Sequence, residues 1–202
     1  MNSADDVKSR VAREAATLLY FGAEKEYKQA KTKAAKTFGT HFLPTNLEIA
    51  LELDRIVEEK EGSARKERLI LMRKEALKIM KLLSNYCPLL IGSVWRGTIR
   101  YGSDIDIAVY AENPEEIVNI LKTNNTKILR SSWTTVNKQG KTLESYNIQA
   151  EENKFSMEIV VRAPEEAGKK RKCEIFGDLI KGLKIKDLEK TLDENPTQRF
   201  LP

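Results

Sequence analysis

Two acids inside an apolar run constrain what residues 89–110, LLIGSVWRGTIRYGSDIDIAVY, can fold into. Asp104 and Asp106 alternate with Ile105 and Ile107 and lead into Ala108 and Val109, the texture of a half-buried strand. Residues i and i+2 of a strand project from the same face, about 6.6–6.8 Å apart along it. The two aspartates therefore share a face while Ile105 and Ile107 enter the core. Ionised carboxylates at that separation repel each other, and partial burial adds to the cost. A positive group between them removes the conflict. Magnesium suits the gap because it prefers carboxylate oxygens, and two such ions about 3.5–4 Å apart can clamp the attacking and leaving oxygens of a phosphoryl transfer. Asp104 and Asp106 are thus candidate ligands for Mg2+, with Mn2+ as a substitute.

The Gly92-Ser93 pair upstream fits the same chemistry. A strand ending in a small-residue turn leaves backbone N–H groups free, and a helix begun by Val94-Trp95-Arg96 would present its N-terminus to a phosphate. Ser93 adds a hydroxyl donor. Arg96 and Arg100 could neutralise phosphate charge or equally be surface arginines. Metal pairs of this kind usually carry a third acid from a neighbouring strand. Glu158, enclosed by Met157 and Ile159 in FSMEIVV, is the first candidate. Strand parity sets it with Val160, opposite Met157, Ile159 and Val161. An ordinary exposed glutamate on a half-buried sheet is the other reading. Glu144 in TLESY, with more polar neighbours, is the runner-up.

Around this stretch the chain changes texture twice. Residues 5–36 are rich in Ala and Lys, lack Pro, and repeat Tyr20, Ala23, Tyr27, Ala30 and Ala34 at helical steps, which predicts one helix ended by Gly39 and Pro44. Thr45 or Asn46 caps a second helix and Ser63 a third. In the third, Leu69, Met72, Ala76, Ile79 and Leu83 form an apolar stripe, core or dimer face, with Lys and Arg on the other faces. Strands follow over CPLLIGS and SDIDIAVY, then a helix opened by Asn113-Pro114. Three further strands cover KILRSSWTTVN, TLESYNIQA and KFSMEIVVR, the first two joined by a hairpin turn at Gly140. Short helical pieces close the chain. Helices plus a mixed sheet, without regular βαβ alternation, make the fold class α+β. The expected organisation is a helical region over 1–86, a sheet domain over 87–165, and a short helical segment over 166–202 packing on it.

Composition removes several chemistries. A single histidine, His41, makes a Ser-His-Asp triad or a His-rich zinc site untenable. Cys87 and Cys173 give neither a CxxC metal motif nor a disulfide framework, which points to a reducing, cytoplasmic setting. No window carries a membrane-length apolar run, and MNSADDVKSR has no apolar signal core. No P-loop, GxGxxG or EF-hand spacing is present. The net charge of +5 and pI near 9.1 suit a polyanionic partner such as a nucleotide or RNA. KKRK (169–172) reads as a solvated charged face, with contact to a triphosphate or RNA backbone as the sharper alternative. Trp95 and Trp133 read as core, with base stacking as their alternative.

Gly-Ser, about ten residues, Asp-x-Asp, then an acid on a later strand: this pattern resembles the DNA polymerase beta-like nucleotidyltransferase superfamily. Within it, GSVWRGTIRYGSDIDIAV looks most like the archaeal-type CCA-adding enzymes and the oligoadenylate synthetases. Those also carry a basic residue, Gly and Thr after the Gly-Ser, and a Ser before the first Asp, here Arg96, Gly97, Thr98 and Ser103. The resemblance implies that Gly92 and Ser93, with Arg96 and Ser103, bind the triphosphate of an incoming NTP. It implies that Asp104 and Asp106 hold magnesium, and that Glu158 completes the acids and helps activate the attacking hydroxyl. It covers some 20 residues closely, and about 70 loosely by way of Glu158. The C-terminal helical and RNA-binding domains of CCA-adding enzymes have no counterpart after residue 165, which favours a minimal transferase. The expected activity is transfer of a nucleoside monophosphate from an NTP to an acceptor hydroxyl, with basicity tilting the acceptor toward an RNA 3′ end. A small-molecule or protein acceptor is one alternative. A catalytically inactive module that keeps the fold and binds RNA or protein is the other.

Overall fold

The computed structural model describes residues 3–138 and 141–202 of the chain. Its helices are α1 (Ser3–Tyr20), α2 (Tyr27–Thr37), α3 (Asn46–Leu82), α4 (Gly92–Arg96), α5 (Pro114–Thr123) and α6 (Ile185–Glu194). Its strands are β1 (Leu89–Ile91), β2 (Ile105–Tyr110), β3 (Lys127–Lys138), β4 (Lys141–Glu152) and β5 (Phe155–Arg162). They form one mixed sheet in the order β1-β2-β5-β4-β3. β2 and β5 run parallel, and the other three pairings are antiparallel. The class is α+β. The expected hairpin turn at Gly140 lies outside the described residues.

The chain divides into two compact units, one comprising residues up to Arg65 with Lys172–Leu179 and Pro202, the other Lys66–Arg171 with Ile180–Leu201. In the second unit, strand alternation sorts the sheet into two unlike faces. Ile105, Ile107 and Val109 of β2, Met157, Ile159 and Val161 of β5, and Tyr146, Ile148 and Ala150 of β4 are all buried on one face. The stripe Leu69, Met72, Ala76, Ile79 and Leu83 of α3 joins them in one core, as do Ile117, Val118 and Leu121 of α5 and Leu188 of α6. The stripe is therefore core. Asn113 caps α5, its side chain accepting from the Glu115 N–H at 3.0 Å, with Pro114 in the first turn where its missing donor costs nothing.

The helix faces depart from expectation at one place. Arg73 stands within the α3 stripe and is fully buried, although Lys and Arg were expected only on the outer faces. Its guanidinium donates to the carbonyls of Val94 (3.2 Å), Trp95 (3.0 Å), Pro196 (2.7 Å) and Gln198 (2.8 Å). Desolvation lowers its pKa to about 10, so it remains a cation near neutral pH. Four carbonyl dipoles make that buried charge tolerable. Two of them are orphan carbonyls at the end of α4.

The first unit packs α1, α2 and the start of α3 through small residues, with Ala12, Ala15, Ala16, Ala30, Ala34 and Ala35 buried. The single helix expected over 5–36 is two, because Gly22 takes a left-handed φ of 70° and turns the chain between α1 and α2. Thr45 is the N-cap of α3: its hydroxyl accepts from the Glu48 N–H at 3.2 Å, and the Glu48 carboxylate accepts from the Thr45 N–H at 2.6 Å. The predicted break near Ser63 is real, since Gly62 (φ 48°, ψ −128°) interrupts the helical backbone of α3. The C-terminal stretch is less helical than expected. Apart from a short 3-10 turn at Pro164–Glu166, it holds turns and isolated antiparallel bridges, Lys172 with Leu179 and Leu183 with Leu90, until α6.

Ile107 is fully buried between the sheet and the helices. Ile107→Ala should cost about 3 kcal/mol of stability. In urea titration the midpoint should fall with the slope unchanged.

Candidate functional site

The face of the sheet opposite that core carries the acids. Register across the strands aligns Ile91, Asp106, Glu158, Gln149 and Arg130 in one line, one residue from each strand. Asp106 and Glu158 are direct neighbours on the parallel pair, with Cα atoms about 4.8 Å apart in the pairing direction. Asp104 precedes β2 by one residue and is exposed. Asp106 and Glu158 are half-buried.

Gly92 follows β1 directly and sits against Asp106. It holds φ at 70°, and a Cβ placed there would overlap the Asp106 carboxylate. Two constraints thus demand glycine: a left-handed backbone and the space the acid occupies. Ser93 is the second residue of α4, a single turn closed by Gly97 at φ 73°. Ser103 sits at the far end of the same loop, where its hydroxyl accepts from the Arg100 N–H at 2.9 Å and its own N–H donates to the Arg100 carbonyl at 3.0 Å. That closed turn delivers Asp104 to the head of β2.

Electrostatics mark Asp106 as the conflicted group. Burial first, then the charges of Glu158 and Asp104, push its carboxyl up to about 7. Asp104 is raised as well, by loss of hydration where it meets the loop, while Arg100 pulls it back. Among the described residues, no three His, Cys, Asp or Glu side chains are grouped so as to hold a metal ion. The donor set nevertheless fits magnesium, which commonly takes one or two carboxylates together with substrate phosphates rather than an all-protein cage.

Other expected residues fall elsewhere. Arg96 is buried, its guanidinium donating to the Phe200 carbonyl at 3.1 Å and lying 4.4 Å from the Trp95 ring centroid. It is not a surface arginine. Glu144 shares strand parity with Tyr146 and Ile148, so it stands on the opposite face from Glu158. Trp95 is core. Trp133 is 61% exposed, which corrects the core reading; it pairs with Tyr146 in register on the face away from the acids and meets that ring edge-on. In KKRK, Lys169 and Arg171 both pair with Glu166, so part of that charge is neutralised locally. Sequence reading missed Arg73. Its spacing, four residues after Leu69 and three before Ala76, was the available signal.

Gly92→Ala should lose both stability and site geometry, because the new methyl meets Asp106 and the backbone leaves its preferred region. A loss of about 1–3 kcal/mol is expected, read by thermal melting. Asp106 supports a second test. A folded pKa near 7, above the ordinary 3.8, means its contribution to stability is full below the unfolded value and is lost as pH rises through 7. In EDTA, Asp106→Asn should therefore stabilise the protein near pH 8, by on the order of 2 kcal/mol, and change little near pH 4.

No curated protein sequence matches the chain significantly. Among solved structures, one titled "Structural Basis for the Activity of a Cytoplasmic RNA Terminal U-transferase" is similar at 15% identity and a TM-score of 0.29. The alignment takes in 57% of this chain but only 34% of that one. A family profile described as "Nucleotidyltransferase domain" matches residues 73–190, more than half of the chain, and takes in Gly92, Ser93, Asp104, Asp106 and Glu158. The chain belongs to the nucleotidyltransferase domain family of the DNA polymerase beta-like type.

Proposed function

We propose that this domain transfers a nucleoside monophosphate from an NTP to an acceptor hydroxyl in a magnesium-dependent reaction. The observation that carries the reading is the crowding of Asp106 against Gly92 and Glu158, an arrangement that raises its proton affinity and leaves negative charge uncompensated. Asp104, Asp106 and Glu158 would hold Mg2+. When bound, the ion supplies charge neutralisation to the carboxylates and to the phosphate oxygens of the NTP. The backbone of the Gly92-Ser93 turn and the hydroxyls of Ser93 and Ser103 bind and orient the triphosphate. Glu158 takes the proton of the acceptor hydroxyl as its oxygen bonds to the α-phosphorus. The bond from that phosphorus to the β-phosphate oxygen breaks, and pyrophosphate leaves. The net charge of +5 favours an RNA 3′ end as acceptor.

The test is incubation with each labelled NTP, magnesium and total RNA. Asp104→Ala/Asp106→Ala should cut incorporation by at least roughly a hundredfold, the low end of what a proton-transferring or charge-stabilising group supplies. Incorporation untouched by the double change would remove the mechanism. A catalytically silent family member is the second reading, favoured by the lack, among the described residues, of three His, Cys, Asp or Glu side chains grouped to hold a metal ion. It is distinguished by thermal melting: a stabilising shift with NTP and magnesium that disappears with NTP and EDTA belongs to the transferase.

A further inference from the structure

The line of residues that begins at Ile91 and Asp106 continues past Glu158 to Gln149 on β4 and Arg130 on β3. Gln149 and Arg130 are both exposed. At about 4.8 Å per strand, Arg130 stands roughly 10 Å from Glu158 in the pairing direction. Its position is not given by simple alternation. Ile128 pairs with Ala150 and packs on the core, so an unbroken strand would put Leu129 on the acid face and Arg130 on the core face. The register instead shifts between Ile128 and Arg130: Leu129 is the extra residue, 54% exposed, and Arg130 pairs with Gln149. A bulge of this kind re-aims side chains and is enriched beside active sites. Here it turns a guanidinium onto the face that holds the acids.

The surroundings leave that cation effective. Glu151, two residues from Gln149 on the same face, is paired with Lys127 at 3.1 Å. The neighbouring row is neutral, with the Asn147 side chain donating to Thr134 Oγ1 at 3.1 Å. A small alcohol placed at Glu158 would leave Arg130 unused. A chain linked by phosphodiesters would bring a phosphate to it.

We infer that Gln149 and Arg130 form an acceptor track for a single-stranded polynucleotide, Arg130 taking a backbone phosphate behind the terminal hydroxyl. Arginine suits this role through its planar, multidentate donor set. The inference rests on the transferase reading for the position of the hydroxyl, but its binding can be measured without catalysis.

The experiment is fluorescence anisotropy of a short end-labelled oligoribonucleotide, in EDTA, across a series of salt concentrations. An oligodeoxyribonucleotide of the same sequence runs in parallel to separate the two sugar backbones. Arg130→Glu should weaken binding about tenfold and lower the slope of log affinity against log salt by about one. Lys122→Glu, the same charge change at an exposed position on α5, should leave both unchanged. Arg130→Lys should restore part of the loss, and equal melting temperatures should exclude misfolding. Equal binding by the Arg130 and Lys122 variants overturns the inference, as does wild-type protein that binds neither oligonucleotide. If the wild type then still transfers label to an acceptor without phosphate, the transferase reading stands while the track falls. If Arg130-dependent binding is found with no transfer, the track stands and the transferase reading falls.

Discussion

Everything at the site follows from the pairing of β2 with its two neighbours. β1 sets Ile91 opposite Asp106, and the next residue of the chain must then turn away in the space beside that carboxylate. β5 sets Glu158 on the other side in parallel register. A slip of one residue on either side would send an acid into the helical core and an isoleucine to the open face. The apolar residues Ile105, Ile107, Met157 and Ile159 forbid that slip, so the force that folds the sheet also holds two like charges together. Hydrophobic burial here sustains an electrostatic conflict of a kind that a cation relieves.

Arg73 secures the other half of the arrangement. The glycine turn is followed by only one turn of helix, too short to be stable alone. The guanidinium binds the carbonyls of Val94 and Trp95 at the end of that turn and, through Pro196 and Gln198, the last stretch of the chain. The strap is drawn close at Gly97, where a Cβ would meet the Gln198 carbonyl at 3.0 Å, and it is stitched again by the exchange of hydrogen bonds between Arg96 and Phe200. Two arginines that in the sequence read as surface or ligand-binding charges are internal ties.

The legible features were those governed by local periodicity. Alternation in SDIDIAVY and FSMEIVVR located β2, β5 and the faces of Asp106 and Glu158. Asn113-Pro114 located the start of α5, and Ser63 marked the region where Gly62 breaks α3. Misread features depended on partners distant in the chain or on one residue's backbone that side-chain spacing does not reveal. After the shift at Leu129, Trp133 stands on the core-facing side of β3, yet that strand lies at the sheet edge and the ring is exposed; no local pattern says where the covering helices stop. The stripe of tyrosines and alanines through residues 20–34 has unbroken helical spacing, but Gly22 turns the chain within it.

By itself the sequence determined that Asp106 stands on a strand with its apolar neighbours turned to the other face, that Asp104 lies just ahead of it, that a glycine-serine turn precedes them, and that an acid of matching parity, Glu158, exists on a later strand. These follow from the two-residue repeat of extended backbone, which any local stretch obeys. Only the tertiary structure decided which acid becomes the neighbour of Asp106, because pairing order β1-β2-β5-β4-β3 is set by core packing among residues far apart in the chain. It also decided that Arg73 and Arg96 face inward, since a buried cation is tolerated only where carbonyl groups from other segments converge on it.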